Sequence, residues 1–189
     1  MSGQKQLSTL VLPGYQGSGA GHWQTRWEAL NPSFVRVRMT DWDHPERDAW
    51  CRTLDAAVAA ADAPVVFAAH SLGCLTVAFW ASQYAGAAQL AKVAGALLVA
   101  PPDPAEAHFP HDASGFAPVP LTRLPFPSIV VASRDDPYGG VPFSQACANG
   151  WGSRWIDIGA RGHINADSGL GDWDEGREWL ESFGTSNRR

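Results

Sequence analysis

The stretch Val65-Val66-Phe67-Ala68-Ala69-His70-Ser71-Leu72-Gly73-Cys74-Leu75 limits most what this chain can fold into. Its first residues are β-branched, aromatic and small, the composition of a strand buried on both faces. Beyond Gly73, the residues Leu75, Val77, Ala78, Phe79 and Ala81 read as a mostly buried helix. Between strand and helix, Ala69 stands two positions before Ser71 and Gly73 two positions after it. Strand, sharp turn with a serine, and helix make a nucleophile elbow, G-x-S-x-G with alanine in the first glycine's place. A serine hydroxyl is a poor nucleophile until a base removes its proton, so such a turn lifts Ser71 toward a base on another loop. The helix N-terminus aims the Leu72 N–H at the space where a carbonyl oxygen would gain negative charge. The pentapeptide alone is weak in an alanine-rich chain, because an ordinary helix N-cap would use the same serine. The strand before it and the helix after it favour the elbow.

The remaining chain supplies a frame for that elbow. Strands are expected at residues 7–12, 34–38, 95–100, 128–132 and 154–158, besides the elbow strand. Pro13-Gly14 ends the first, and a glycine-rich loop follows to His22. Helices are expected at 23–30, from Pro45 to about 61, after the elbow, and at 141–151. A last helix is expected from Asp172 as N-cap, with Glu175 completing a capping box and Gly184 as a stop. Six short apolar strands, most separated by helices, predict an α/β domain with a six-stranded parallel sheet and helices on both faces. Such sheets carry their sites at the carboxyl ends of the strands. With 189 residues, one domain spanning 1–189 is expected. Residues 101–127 are proline-rich and aperiodic, a candidate lid whose Phe109, Phe116 and Phe126 would either border a pocket or plug the core.

Charge and cysteine content narrow the function classes. A net charge of −5, with no basic run before Arg188-Arg189, argues against a nucleic-acid surface. No apolar stretch has membrane-spanning length, and Met1 to Leu7 carries no apolar signal region. The odd set Cys51, Cys74 and Cys147 fits no metal spacing or disulfide framework, so all three are expected as reduced core thiols of a cytoplasmic protein. No metal or other cofactor is implied. The glycines after the first strand lack a following Lys-Ser/Thr and any G-x-G-x-x-G, which disfavours nucleotide binding.

An elbow serine needs a base and the base needs an acid, in the chain order Ser, Asp or Glu, His. Of the six histidines only His163 falls in the loop between the sixth strand and the last helix, within the glycine-rich run Gly159 to Asn165. His70 adjoins Ser71, but a sharp turn directs neighbouring side chains apart, so it is read as structural. The acid is expected after the fifth strand, where Asp135 and Asp136 compete and Pro137 holds Asp136 extended. Asp103 is the fallback, and Asp157 lies inside a strand. A second oxyanion donor is expected from the loop after the first strand, as the Tyr15 N–H turned by Gly14. His22, Trp23 and Trp42 are candidates for shaping the substrate pocket.

Leu12-Pro13-Gly14-Tyr15-Gln16-Gly17-Ser18, continuing to Gly21-His22-Trp23-Gln24, resembles the opening of the retinoblastoma-binding protein 9-like serine hydrolases, which are small α/β-hydrolases. His70-Ser71-Leu72-Gly73, Ser133 to Pro137 and Gly162-His163-Ile164-Asn165 match in the same order. The resemblance spans nearly the whole chain. It implies a minimal α/β-hydrolase fold with strand order 2-1-3-4-5-6, lacking the first antiparallel strand pair of larger hydrolases. It also implies a Ser71, Asp136, His163 triad. The namesake's L-x-C-x-E partner motif has no counterpart, since Leu72 to Thr76 lacks the glutamate. The expected activity is hydrolysis of a small-molecule acyl ester through an acyl-enzyme on Ser71. A peptidase or thioesterase is an alternative within the class. An interaction or scaffold protein with this fold and little turnover is the alternative outside it.

Overall fold

Six parallel strands, all but the fourth and fifth separated by helices, run along the computed structural model, which describes residues 7–185. Residues 1–6 and the Arg188-Arg189 pair lie outside the described residues. The strands are β1 (Ser8–Leu12), β2 (Phe34–Arg36), β3 (Val65–His70), β4 (Val93–Val99), β5 (Ser128–Ala132) and β6 (Arg154–Asp157). They form one sheet in the order β2-β1-β3-β4-β5-β6, every neighbouring pair parallel. The helices are α1 (Trp23–Leu30), α2 (Arg47–Ala60), α3 (Leu72–Phe79), α4 (Ala87–Leu90), α5 (Val141–Trp151) and α6 (Asp174–Thr185).

The period-two pleat divides the apolar residues between two cores. Val65, Phe67 and Ala69 of β3 face one side with Leu98 of β4 and Val130 of β5, under α2, α3 and α5. Val66 and Ala68 face the other side with Leu97, Val99 and Val131, under α1 and α6. Gly95 lets α6 pack closely on the sheet: a Cβ there would lie 2.3 Å from the Phe183 ring. The three cysteines are free and buried, and burial pushes the Cys51 and Cys147 thiols up to about 12.

Several elements differ from the sequence expectation for identifiable reasons. The last helix begins at Asp174, and Asp172 does not cap it. Trp173 adopts φ +41°, which no helix continues through, and its ring turns inward to stack on Trp27 at 5.9 Å. Asp172 instead accepts from Arg26 at 2.7 Å, and its carbonyl accepts from the Trp27 indole. Gly184 lies inside α6 rather than ending it. Helix α2 starts after Pro45, with Glu46 as its N-cap, because the Pro45 carbonyl accepts from Ser114 N–H. That bond ties the 101–127 segment to the start of α2. The same segment turns Phe116 and Phe126 into the core, Phe116 against Trp50 and Phe79 and Phe126 against Phe67. Strand β2 stops at Arg36 instead of 38, β6 stops at Asp157, and β4 begins at Val93.

Candidate active site

At the end of β3 the chain makes the elbow. Ser71 has φ +54° and ψ −124°, outside the regions ordinary residues favour, and the turn puts its hydroxyl at the carboxyl end of the sheet. Gly73 permits the turn, since a Cβ there would lie 2.4 Å from the Leu12 carbonyl oxygen of the neighbouring strand. The Ser71 backbone is held by its N–H donating to Val99 O and its carbonyl accepting from Cys74 N–H.

His163, on the loop after β6, comes within 2.8 Å of Ser71 Oγ through Nε2. Its Nδ1 lies 2.9 Å from both carboxylate oxygens of Asp136, on the loop after β5. Nδ1–H therefore donates to the carboxylate, leaving Nε2 free to accept the serine proton. The Asp136 side chain is 1% exposed and that of His163 10%. The Asp136 carboxylate also accepts from Tyr138 N–H at 2.9 Å, which orients it. The competing acids are committed elsewhere. Asp135 accepts from Ser133 Oγ and from Gly162 N–H, both at 2.8 Å, and these bonds hold its carboxyl below the usual range. Asp103 accepts from Ala105 N–H, and Asp157 pairs with Arg134.

Gly14 brings the β1–α1 loop against the serine: a Cβ there would sit 2.7 Å from Ser71 Cβ and 3.1 Å from Leu72 N. Leu72 is the first residue of α3, so its N–H has no partner within the helix. Next in that loop, Gln16 N–H donates to Trp42 O and Gly17 N–H to Gly14 O. The Tyr15 side chain points outward, its hydroxyl donating to Asp112 at 3.4 Å.

A cavity of about 190 Å³ opens beside Ser71, bordered by Gly14, Tyr15, His22, His70, Tyr138 and His163, with Pro102 and Pro110 from the 101–127 segment. A larger depression of about 580 Å³ lies by β1, β2 and α6, but no imidazole or thiol borders it. Of the three residues expected to shape the pocket, His22 borders it. Trp23 and Trp42 stand behind its wall. The Trp23 indole donates to Ile164 O at 2.9 Å, and Trp42 rests on Gly17 and against Trp50. His22 is buried; its Nδ1 accepts from Gln24 N–H, and Nε2 has no hydrogen-bond partner. Burial, reinforced by Arg36 and then His163, pushes His22 down to about 3. His70 is likewise driven well below its ordinary value, first by burial and then by His22 and His163. Both rings are therefore neutral near pH 7.

Two contributors escaped the sequence reading. Tyr138 packs against His163 with the rings tilted and their centroids 4.4 Å apart, and its place just past Asp136-Pro137 was the available signal. Gln24 is fully buried, and its amide donates to the Leu12 and Ala68 carbonyls at 3.0 and 2.8 Å. It thus joins the ends of β1 and β3 under the site, and a glutamine in the Gly-His-Trp-Gln run gave little hint of that. Among the described residues, no group of three or more His, Cys, Asp or Glu is arranged to hold a metal ion, and no helix is long and apolar enough to cross a membrane.

A parallel six-stranded sheet with a serine elbow after its third strand is an α/β-hydrolase fold. Residues 9–182 match the family described as serine hydrolase, and the chain belongs to that family. A structure named provisionally as a YdeN-like hydrolase, from Pectobacterium atrosepticum, is 30% identical with a TM-score of 0.83, over 96% of this chain and 92% of that one. The ydeN gene product of B. subtilis is 18% identical, with a TM-score of 0.68 over 95% of this chain and all of that one (100%). A thermophilic esterase from Thermogutta terrifontis is 17% identical, with a TM-score of 0.67 over 95% and 91%. The last two likenesses are of fold alone. No curated protein matches the sequence.

Proposed function

We propose that this serine hydrolase cleaves small acyl esters through a covalent acyl-enzyme on Ser71, in the manner of the retinoblastoma-binding protein 9-like branch it resembles. The observation that carries the reading is the continuous hydrogen-bonded line from Ser71 Oγ through His163 to Asp136. In this mechanism Ser71 Oγ attacks the ester carbonyl carbon while its proton passes to His163 Nε2. Asp136 stays ionised, fixes the imidazole tautomer and stabilises the imidazolium. The N–H groups of Leu72 and Tyr15 receive the oxyanion, with Gly14 giving the close approach. His163 then protonates the departing alkoxide, and the acyl group remains on Ser71. A water molecule, deprotonated by the same imidazole, attacks the acyl carbon, and the carboxylic acid leaves as Ser71 recovers its proton.

A small-molecule acyl substrate suits the cavity. At about 190 Å³ the cavity is small, which favours short acyl groups over long chains. Esters are favoured over amides because an alkoxide leaves more readily than an amine. The free buried thiols are compatible with a cytoplasmic setting.

The deciding experiment is covalent labelling with a fluorophosphonate, read by intact mass and peptide mapping. One adduct is expected, on Ser71, with none on a folded Ser71→Ala variant. That variant is expected to lose ester turnover by several orders of magnitude, about 10⁶-fold in the subtilisin precedent. A folded protein that takes no label and turns over no ester would be the scaffold instead.

A further inference from the structure

The loop that carries His163 is glycine-rich, with Ile164 beside the histidine packed into the core. Gly159 and Gly162 both take positive φ, and nothing lies within 4 Å of where a Cβ would stand on either. Its position is set by hydrogen bonds to the backbone. Three of them come from the β5 side: Arg134 N–H to Gly159 O, Arg161 N–H to Ser133 Oγ, and Gly162 N–H to Asp135. They locate the loop beside Asp136. They do not locate it relative to Ser71, which belongs to a different strand end.

Two further bonds supply that link. His70 Nε2 lies 2.8 Å from the His163 carbonyl oxygen, and Trp23 Nε1 lies 2.9 Å from the Ile164 carbonyl oxygen. Consecutive carbonyls of the loop are thus each gripped by one aromatic N–H. Both donors are buried, at 5% and 1% exposure, and Ile164 is buried between its neighbours with φ +49°. His70 is the residue directly before Ser71, so one strand end holds both the hydroxyl and the backbone of the base. Since a carbonyl only accepts, His70 must carry its proton on Nε2. His22 meets the His70 ring edge-on at 4.6 Å, behind the grip, and Trp173 meets Trp23 at 5.2 Å. Both donors are therefore packed against a second aromatic ring, which restricts their rotamers.

Resting on the reading of His163 as the base, we infer that His70 and Trp23 are positioning residues: together they hold the His163 and Ile164 carbonyls and so set the reach of His163 to Ser71. A displacement of about 1 Å at a reacting pair costs on the order of 10²-fold in rate. The His70 ring also lies 4.8 Å from the His163 ring, but neither donor hydrogen-bonds to Ser71 Oγ or to the His163 ring nitrogens, so the effect belongs in kcat rather than in KM.

The test measures kcat, KM and melting temperature for His70→Leu, His70→Gln and Trp23→Phe in the full chain on one activated ester, beside His163→Ala. Glutamine places its Nε2 donor near that of histidine, whereas leucine removes it. Folded His70→Leu and Trp23→Phe are each expected to lower kcat about 10- to 100-fold, with KM within threefold. His70→Gln is expected to restore kcat to within about fivefold of wild type, which a merely structural role would not require. Wild-type kcat in a folded His70→Leu or Trp23→Phe overturns the inference, as does a loss that glutamine fails to restore. If His70→Leu does not fold, Trp23→Phe and His70→Gln decide by the same limits. A His163→Ala protein that keeps full turnover overturns the underlying reading as well. Loss in His163→Ala without loss in the donor variants overturns the positioning role alone.

Discussion

Lowering the pH from about 8 to about 5 is expected to remove about 2 kcal/mol of folding stability through His22 alone. In the unfolded chain this imidazole titrates at its ordinary value of 6.5; in the folded protein it is pushed down to about 3. Between those values the unfolded state holds a proton that the folded state rejects. The contribution is therefore fully present above about pH 6.5 and is lost as the pH falls toward 3. Each unit in that window is worth about 1.36 kcal/mol, and pH 5 lies about 1.5 units below the unfolded value. Near pH 3 the loss through His22 would reach about 4 kcal/mol, a large share of a domain's usual stability. His70 acts with the same sign. The depressed carboxylates Asp48, Asp135 and Asp157 contribute only as the pH falls toward their ordinary value of 3.8, below the interval from pH 8 to pH 5. The assay is urea unfolding at the two pH values, followed by tryptophan fluorescence, on wild type and His22→Asn. Asparagine keeps an acceptor for the Gln24 N–H but does not titrate. Wild type should lose about 2 kcal/mol more than the variant, roughly a 1 M difference in urea midpoint shift for an m-value near 2 kcal/mol/M. Equal losses within about 0.5 kcal/mol would refute the reasoning, because His22 would then accept its proton in the folded state.

Three other outcomes follow from the site. Asp136→Asn is expected to lower kcat by about 10²–10⁴ and Asp135→Asn by less than about tenfold, measured side by side on one activated ester; the reverse order would overturn the choice of acid. On a nitrophenyl ester series, kcat/KM is expected to peak at acyl chains of about two to four carbons, given a cavity of about 190 Å³. A maximum at long chains would mean that the 101–127 segment opens an apolar channel. Gly73→Ala, whose Cβ would lie 2.4 Å from Leu12 O, is expected to cost about 1–3 kcal/mol by thermal unfolding and to lower kcat by shifting the elbow; an unchanged melting temperature would show that β1 gives way.

Much of the frame was legible because it rests on local patterns. The apolar runs at β3, β4 and β5 are continuous because both faces of the sheet are covered, and that alone marks them as parallel interior strands. Ser71 and His163 stood out because a strand–turn–helix and a lone histidine in the right loop are features of chain order. Other outcomes depend on packing between segments distant in sequence. Whether Asp135 or Asp136 meets the imidazole turns on which way two adjacent side chains face, and the Gly162 N–H that occupies Asp135 lies 27 residues away. Trp173 breaks the expected start of α6 because Trp23 and Trp27 attract its ring, a contact no local capping rule contains. Phe116 and Phe126 fill the core instead of bordering the cavity because α2 and α3 leave space for them there. Periodicity and turn chemistry report how one segment is buried. The walls of the cavity and the hold on His163 arise where five strand ends and their loops converge, and that convergence exists only in the folded chain.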